Sequence, residues 1–279
     1  MSDTTILSWV TFIYFAAFVG YLFRMVFNGD IWGKLASYAA LAGLLAQTVA
    51  LALRWRASYD LGIGHVPLAN FYESLIFFAW TIVLLYLTVE LRIKNKALGV
   101  LILPVAFLLM AFASLSPSVD SRIQPLIPAL QSNWLTSHVL TCFMGYAAFT
   151  IAFGLGLLYF FKGRPVSDKN ASGFLRFIPH EDMLDELMYQ MMALGFVFLT
   201  LGIMTGSVWA HYAWGSYWSW DPKETWSLVT WLIYALMLHA RHVRGWRGLR
   251  MAVMTIVGFA SVLFTYLGVN YLPGLHSYL

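Results

Sequence analysis

Eight apolar runs of bilayer-spanning length succeed one another along this chain, near residues 6–27, 33–53, 70–91, 97–115, 135–161, 187–209, 225–243 and 251–272. A helix crosses the hydrocarbon core with about 20 mostly apolar residues, and little of the chain is left over once eight such runs are assigned. The runs are continuously apolar, whereas barrel strands would alternate over about 10 residues. Only 11% of the 279 residues are charged, against about 25% in an average soluble protein. Charges this sparse cannot cover a soluble globule. The expected fold is all-α: a polytopic helical bundle of about eight transmembrane helices, with residues 1–279 forming a single integral membrane domain. Asp3 stands where a signal peptide would carry basic residues and no A-x-A site follows, so the first run is expected to be retained.

The few charges carry an orientation. With the N-terminus outside, thirteen Lys and Arg fall on one side (Arg24, Lys34, Arg92, Lys94, Lys96, Lys162, Arg164, Lys169, Arg176, Arg241, Arg244, Arg247, Arg250) and four on the other (Arg54, Arg56, Arg122, Lys223). The positive-inside bias places the first group in the cytoplasm and both termini outside. The net charge of +4 sits mostly in short connecting loops, which leaves no soluble domain for nucleic acid. Cys142 is the only cysteine, so the chain has no pair for dithiol chemistry and any reacting thiol comes from elsewhere.

Half of the twelve tryptophans lie in the 23 residues 209–231, on the expected outer face: Trp209, Trp214, Trp218, Trp220, Trp226 and Trp231. An interfacial belt needs only one or two aromatic residues per helix end. This density predicts a broad aromatic shelf on which a flat apolar macrocycle stacks. Asp221, Pro222, Lys223 and Glu224 read as the N-cap, N1, N2 and N3 of a capping box opening the seventh helix, which would hold the shelf rigid. Asn70 and Glu73 repeat the pattern at the third run and are also read as caps rather than acid-base groups.

The segment WGSYWSWDPKETW resembles the tryptophan-rich "WWD" motif of a haem-handling superfamily that serves cytochrome c maturation. Four further segments resemble one branch of it: GHVPLANFYESLIFFAW (64–80), WLTSHVLTCFMGYAAF (134–149), WLIYALMLHAR (231–241) and GLHSYL (274–279). That branch is the CcsA/ResC-type membrane subunit of the system II cytochrome c synthase. The resemblance implies that haem b is handled and that Trp214, Trp218, Trp220, Asp221 and Trp226 form its external platform.

Histidine supplies axial ligands to haem iron. His138 lies just inside the outer end of the fifth run and His276 just beyond the eighth, so both can face the shelf, although such positions more often carry interfacial hydrogen-bonding residues. The resemblance implies that these two ligate haem at the external site. His239 follows Thr225 by 14 residues, roughly 20 Å along a helix, and so cannot bind the same iron. An ionisable residue this deep in a run is a functional candidate. The resemblance makes it a ligand to haem within the membrane, with its axial partner on a companion chain. His65 is read as hydrogen-bonding in its loop, His180 and His242 as solvated, and His211 as adjacent to the aromatic segment without need to face it.

Haem would enter near His239, move outward and be held by His138 and His276. The reaction implied is addition of the two thiols of an apocytochrome c CxxCH across the haem vinyl groups. No general acid, base or nucleophile is evident for it, so this chain would act by position and orientation. The resemblance and the shortness of the loops imply a companion membrane subunit of the CcsB or ResB kind, with a thiol-reducing pathway acting indirectly. A bacterial inner membrane or a thylakoid membrane is the expected setting. A haem exporter without ligation activity and a structural subunit with an aromatic belt are the rival readings.

Overall fold

The computed structural model describes residues 2–126, 128–162 and 176–274. Among them are eight α-helices and no strand: α1 (Asp3–Phe27), α2 (Asp30–Asp60), α3 (Phe71–Ile93), α4 (Gly99–Leu115), α5 (Asn133–Lys162), α6 (Glu181–Trp214), α7 (Pro222–Arg244) and α8 (Leu249–Tyr266). Six are long and apolar enough to cross a membrane. Of the other two, α4 has 17 residues and carries Pro104 within it, and α7 has 23 residues. Several helices exceed the apolar runs that nucleate them. The 31 residues of α2 continue through Arg54 to Asp60, and α6 reaches 34 residues.

The chain divides into two compact units, Met1–Leu126 with Pro165–Pro179, and Ile127–Arg164 with His180–Leu279. In the first, α1 packs on α2 and α4, and α3 packs on α4 and α2, a closed ring of four helices. In the second, α5 packs on α6 and α8, and α7 packs on α8 and α6, a second ring.

Several polar side chains buried in the first unit are paired across its helices. Tyr14 donates from its hydroxyl to Gln47 Oε1 (2.5 Å), and Gln47 Nε2 donates to the Ile76 carbonyl (2.8 Å). Arg54, expected among the outer loop charges, is instead 1% exposed within α2. It donates from Nε to Glu73 Oε1 (2.8 Å) and from Nη1 to Asp3 Oδ2 (3.0 Å). The helix continues past the apolar run, and the two carboxylates offset the cost of burying the guanidinium. The first turn of α3 is capped as its spacing predicts, with Asn70 Oδ1 accepting from Glu73 N (2.8 Å). Glu73 is therefore both a cap residue and half of a buried ion pair.

Candidate functional site

Helices α5 and α6 pack closely around His138. Glycines at 195, 202 and 206 share one face of α6, and the last two form a small-xxx-small pair of the kind that lets membrane helices approach closely. A Cβ at Gly202 would lie 2.5 Å from Cys142 Sγ, and one at Gly206 would lie 2.5 Å from His138 Nδ1. Only glycine leaves room for α5 at both levels. The bare backbone also supplies a partner: His138 Nδ1 lies 2.8 Å from the Gly202 carbonyl oxygen. That oxygen can only accept, so the proton is on Nδ1, and a neutral imidazole then keeps its lone pair on Nε2. A carbonyl on one ring nitrogen is the arrangement that fixes the tautomer of a metal-ligating histidine. Cys142 Sγ lies 3.6 Å from the same Nδ1.

An aromatic chain leads from this imidazole to the segment after α6. Trp209 is 1% exposed and stacks on the His138 ring with centroids 6.0 Å apart, and Trp214 meets Trp209 edge-on at 4.9 Å. Gly215 then ends α6 in the left-handed region (φ +79), its N–H bonding to the His211 carbonyl (2.9 Å). The chain doubles back here, which lays Tyr217 flat on His211 with centroids 4.3 Å apart and planes 4° apart. His211 thus faces the aromatic segment, which its sequence position did not require. The reversal at Gly215 is the cause, and that glycine after an aromatic helix end was the available signal.

Trp218 and Trp220 meet edge to face at 5.7 Å. Trp220 is exposed and adopts φ +59, an uncommon conformation for a bulky residue. Hydrogen bonds hold it from both sides. Glu224 Oε2 accepts from Ser219 N (2.7 Å) and Asp221 N (3.3 Å), and Thr225 Oγ1 donates to the Trp220 carbonyl (3.2 Å). Asp221 Oδ1 accepts from Lys223 N (3.0 Å), which completes the capping box that D-P-K-E predicts. Residues of the first turn of α7, Glu224 and Thr225, therefore also fix the outward-pointing tryptophan.

The remaining tryptophans of the 209–231 segment pack against neighbouring helices. Trp226 lies against Phe264 of α8 at 4.3 Å, and Trp231 donates to Thr200 Oγ1 (2.8 Å) beside Phe196. The structure brings His138, Trp209 and Trp214 together and pairs Trp218 with Trp220. It places Trp226 and Trp231 at helix contacts.

His276 lies outside the described residues. The chain leading to it is tied to this end of the unit: Lys223 Nζ donates to Asn270 Oδ1 (3.1 Å), and a Cβ at Gly274 would overlap the Asp221 carboxylate. His239 is exposed on α7, in line with exposed Leu232, Leu236 and Val243, so it looks outward from its own unit through an apolar stripe. His65 makes loop contacts, as expected, with Nδ1 2.8 Å from the Val66 carbonyl and Nε2 3.0 Å from the Gln124 carbonyl. With Asn70 Nδ2 donating to the Arg122 carbonyl (3.3 Å), it clasps the loops after α2 and α4. His242 meets the Tyr189 hydroxyl at 3.0 Å.

A multi-pass helical membrane protein, with a capped aromatic segment beside a tautomer-fixed histidine, is the class defined by this architecture. The cytochrome C assembly protein family model matches residues 68–276, and the chain belongs to that family, as a CcsA-type member. It is 46% identical over 241 residues to the cytochrome c biogenesis protein CcsA of Chlamydomonas reinhardtii, covering 84% of this chain and 65% of that protein. The CcsA of Chlorella vulgaris is 40% identical over 300 residues, covering 95% of this chain and 93% of that protein. Among solved structures, the cytochrome c haem lyase CcmF superposes with a TM-score of 0.70 over 96% of this chain, at 16% identity. The chain spans about half (47%) of CcmF, and the likeness is one of fold.

Proposed function

We propose that this protein serves cytochrome c biogenesis by carrying haem b across the membrane and presenting it at the 209–231 segment for attachment to apocytochrome c. The observation that carries the reading is the His138 Nδ1 contact with the Gly202 carbonyl (2.8 Å), with the ring stacked on Trp209. With the proton on Nδ1, Nε2 is the ring nitrogen that would coordinate iron, and the aromatic residues at 214, 218 and 220 supply stacking surface for the macrocycle. Asp221 and Glu224 act by holding that surface. His276 is the second external ligand; the last described residue before it, Gly274, lies beside Asp221.

His239, outward on an apolar helix face, is the inner ligand, and its partner comes from a CcsB/ResB-type companion subunit. Haem here is cargo and substrate. Its vinyl groups accept the two cysteine thiols of CxxCH, each S–H adding across one C=C to form a C–S and a C–H bond with no net oxidation. This chain fixes which haem face and edge meet the thiols, and a thiol-reducing pathway keeps them available. The site faces outward from a bacterial inner membrane or a thylakoid membrane.

The test is coexpression of the full chain with its companion and an apocytochrome, followed by a haem stain after denaturing electrophoresis. Covalent haem on the cytochrome that requires this chain is the expected result. Haem bound to this chain with none transferred would assign it to haem export without ligation, and loss of both would return the tryptophans to a membrane belt.

A further inference from the structure

The first unit holds a charged group that no part of the proposed haem path uses. Arg24, near the end of α1, has Nε and Nη1 sealed from solvent, and neither finds a hydrogen-bond acceptor among the described residues. Its remaining nitrogen, Nη2, lies 3.7 Å from Asp30 Oδ1, longer than a charge-assisted hydrogen bond, and that carboxylate is 85% exposed. A guanidinium cannot shed its charge, and buried charged donors without acceptors are costly. Phe177 covers it, with its ring centroid 5.1 Å from the Arg24 Cζ, and Arg176 lies 5.1 Å from the same ring.

The neighbouring charges are already engaged. A Cβ at Gly33 would come within 2.9 Å of both Arg24 Nε and Lys96 Cδ, so the two cations run side by side over the first turn of α2. Lys96 Nζ donates to Glu90 Oε1 (2.7 Å). Glu90 also accepts from Tyr21 (2.6 Å), Ser37 (2.5 Å) and Tyr86, which fills its lone pairs. Arg24, Lys96 and Arg176 against Glu90 and Asp30 leave one positive charge in excess.

We propose that this basic cluster binds the phosphate of an anionic phospholipid headgroup, with Arg24 as its principal ligand. Arg24 lies four residues before the Asn28–Gly29 turn that joins two spanning helices, which is the level of the headgroups. Basic pockets between transmembrane helices at this level take anionic headgroups, and a guanidinium edge matches two phosphate oxygens. The 16% of the Arg24 side chain that reaches solvent lies away from Nε and Nη1, so the phosphate reaches those nitrogens by displacing the Phe177 ring that covers them. Free phosphate shares the chemistry and lacks the acyl chains that would lie along the exposed apolar side chains of Phe23, Phe27 and Trp32. The inference stands independently of haem binding.

The test uses the full chain in detergent, titrated with phosphatidylglycerol, with phosphate-free diacylglycerol or with inorganic phosphate. Bound lipid is counted by native mass spectrometry and the unfolding temperature is followed. Phosphatidylglycerol should be retained and should raise the unfolding temperature, whereas the other two should not. Arg24→Gln should weaken phosphatidylglycerol binding about tenfold, the loss expected for a hydrogen-bonded charge. Lys34→Gln, which removes an exposed charge near the same turn, should leave that binding unchanged. Equal retention of diacylglycerol, equal stabilisation by inorganic phosphate, or unchanged binding in Arg24→Gln would overturn the proposal. The wild-type comparison decides the matter even if Arg24→Gln does not fold.

Discussion

At Gly206 one missing methyl group decides whether an imidazole can occupy its place. A Cβ there would stand 2.5 Å from His138 Nδ1, so the ring must move or the helices must part. Overpacking of this kind costs about 1–3 kcal/mol, which a helical bundle can survive, while displacement of the ring breaks its contact with the Gly202 carbonyl. Gly206→Ala is therefore expected to insert and fold but to copurify with much less external haem than wild type, read as pigment per protein. Full haem content in that variant would show that the His138 position is not critical. His138 was legible as a candidate from its place near a helix end. The glycines that position it were legible in principle as G-x-x-x-G, yet only the packing shows that they face α5 and not lipid.

At the level of elements, the tryptophan segment separates into two mechanical roles. Trp231 bonds Thr200 and packs beside Phe196, so Trp231→Ala should cost about 3 kcal/mol of stability, as loss of a large packed side chain does. Trp218 and Trp220 lie in the capped turn between helices, and Trp220 is 67% exposed, so the double change to Ala should leave the unfolding temperature near that of wild type. Haem retention should show the reverse order, falling in the double variant with His138 and His276 intact. Thermal unfolding and haem content measured on the same samples check both, and retention of external haem by the double variant would contradict the platform reading. The D-P-K-E spacing made the start of α7 legible, because capping is local chemistry. Which tryptophans pack and which face outward was not legible, since burial depends on the helices that arrive from elsewhere in the chain. Arg54 escaped the reading for a similar reason: Asp3 and Glu73, its partners, are 51 and 19 residues away.

At the scale of the whole molecule, apolar runs were enough to foresee the eight helices found among the described residues, because solvation by lipid leaves backbone polar groups few other ways to be satisfied. They could not foresee the division into two four-helix rings, because hydropathy does not say which helices pack together. The proposed function requires the second ring to hold haem through His138 beside the aromatic segment. The most direct measurement is the absorption spectrum of the full chain purified with its companion, compared with His138→Ala in the absence and presence of added imidazole. The account predicts a haem spectrum in wild type, loss of the external haem contribution in His138→Ala, and its partial return when free imidazole enters the vacated axial position. An unchanged spectrum and haem content in His138→Ala would contradict it.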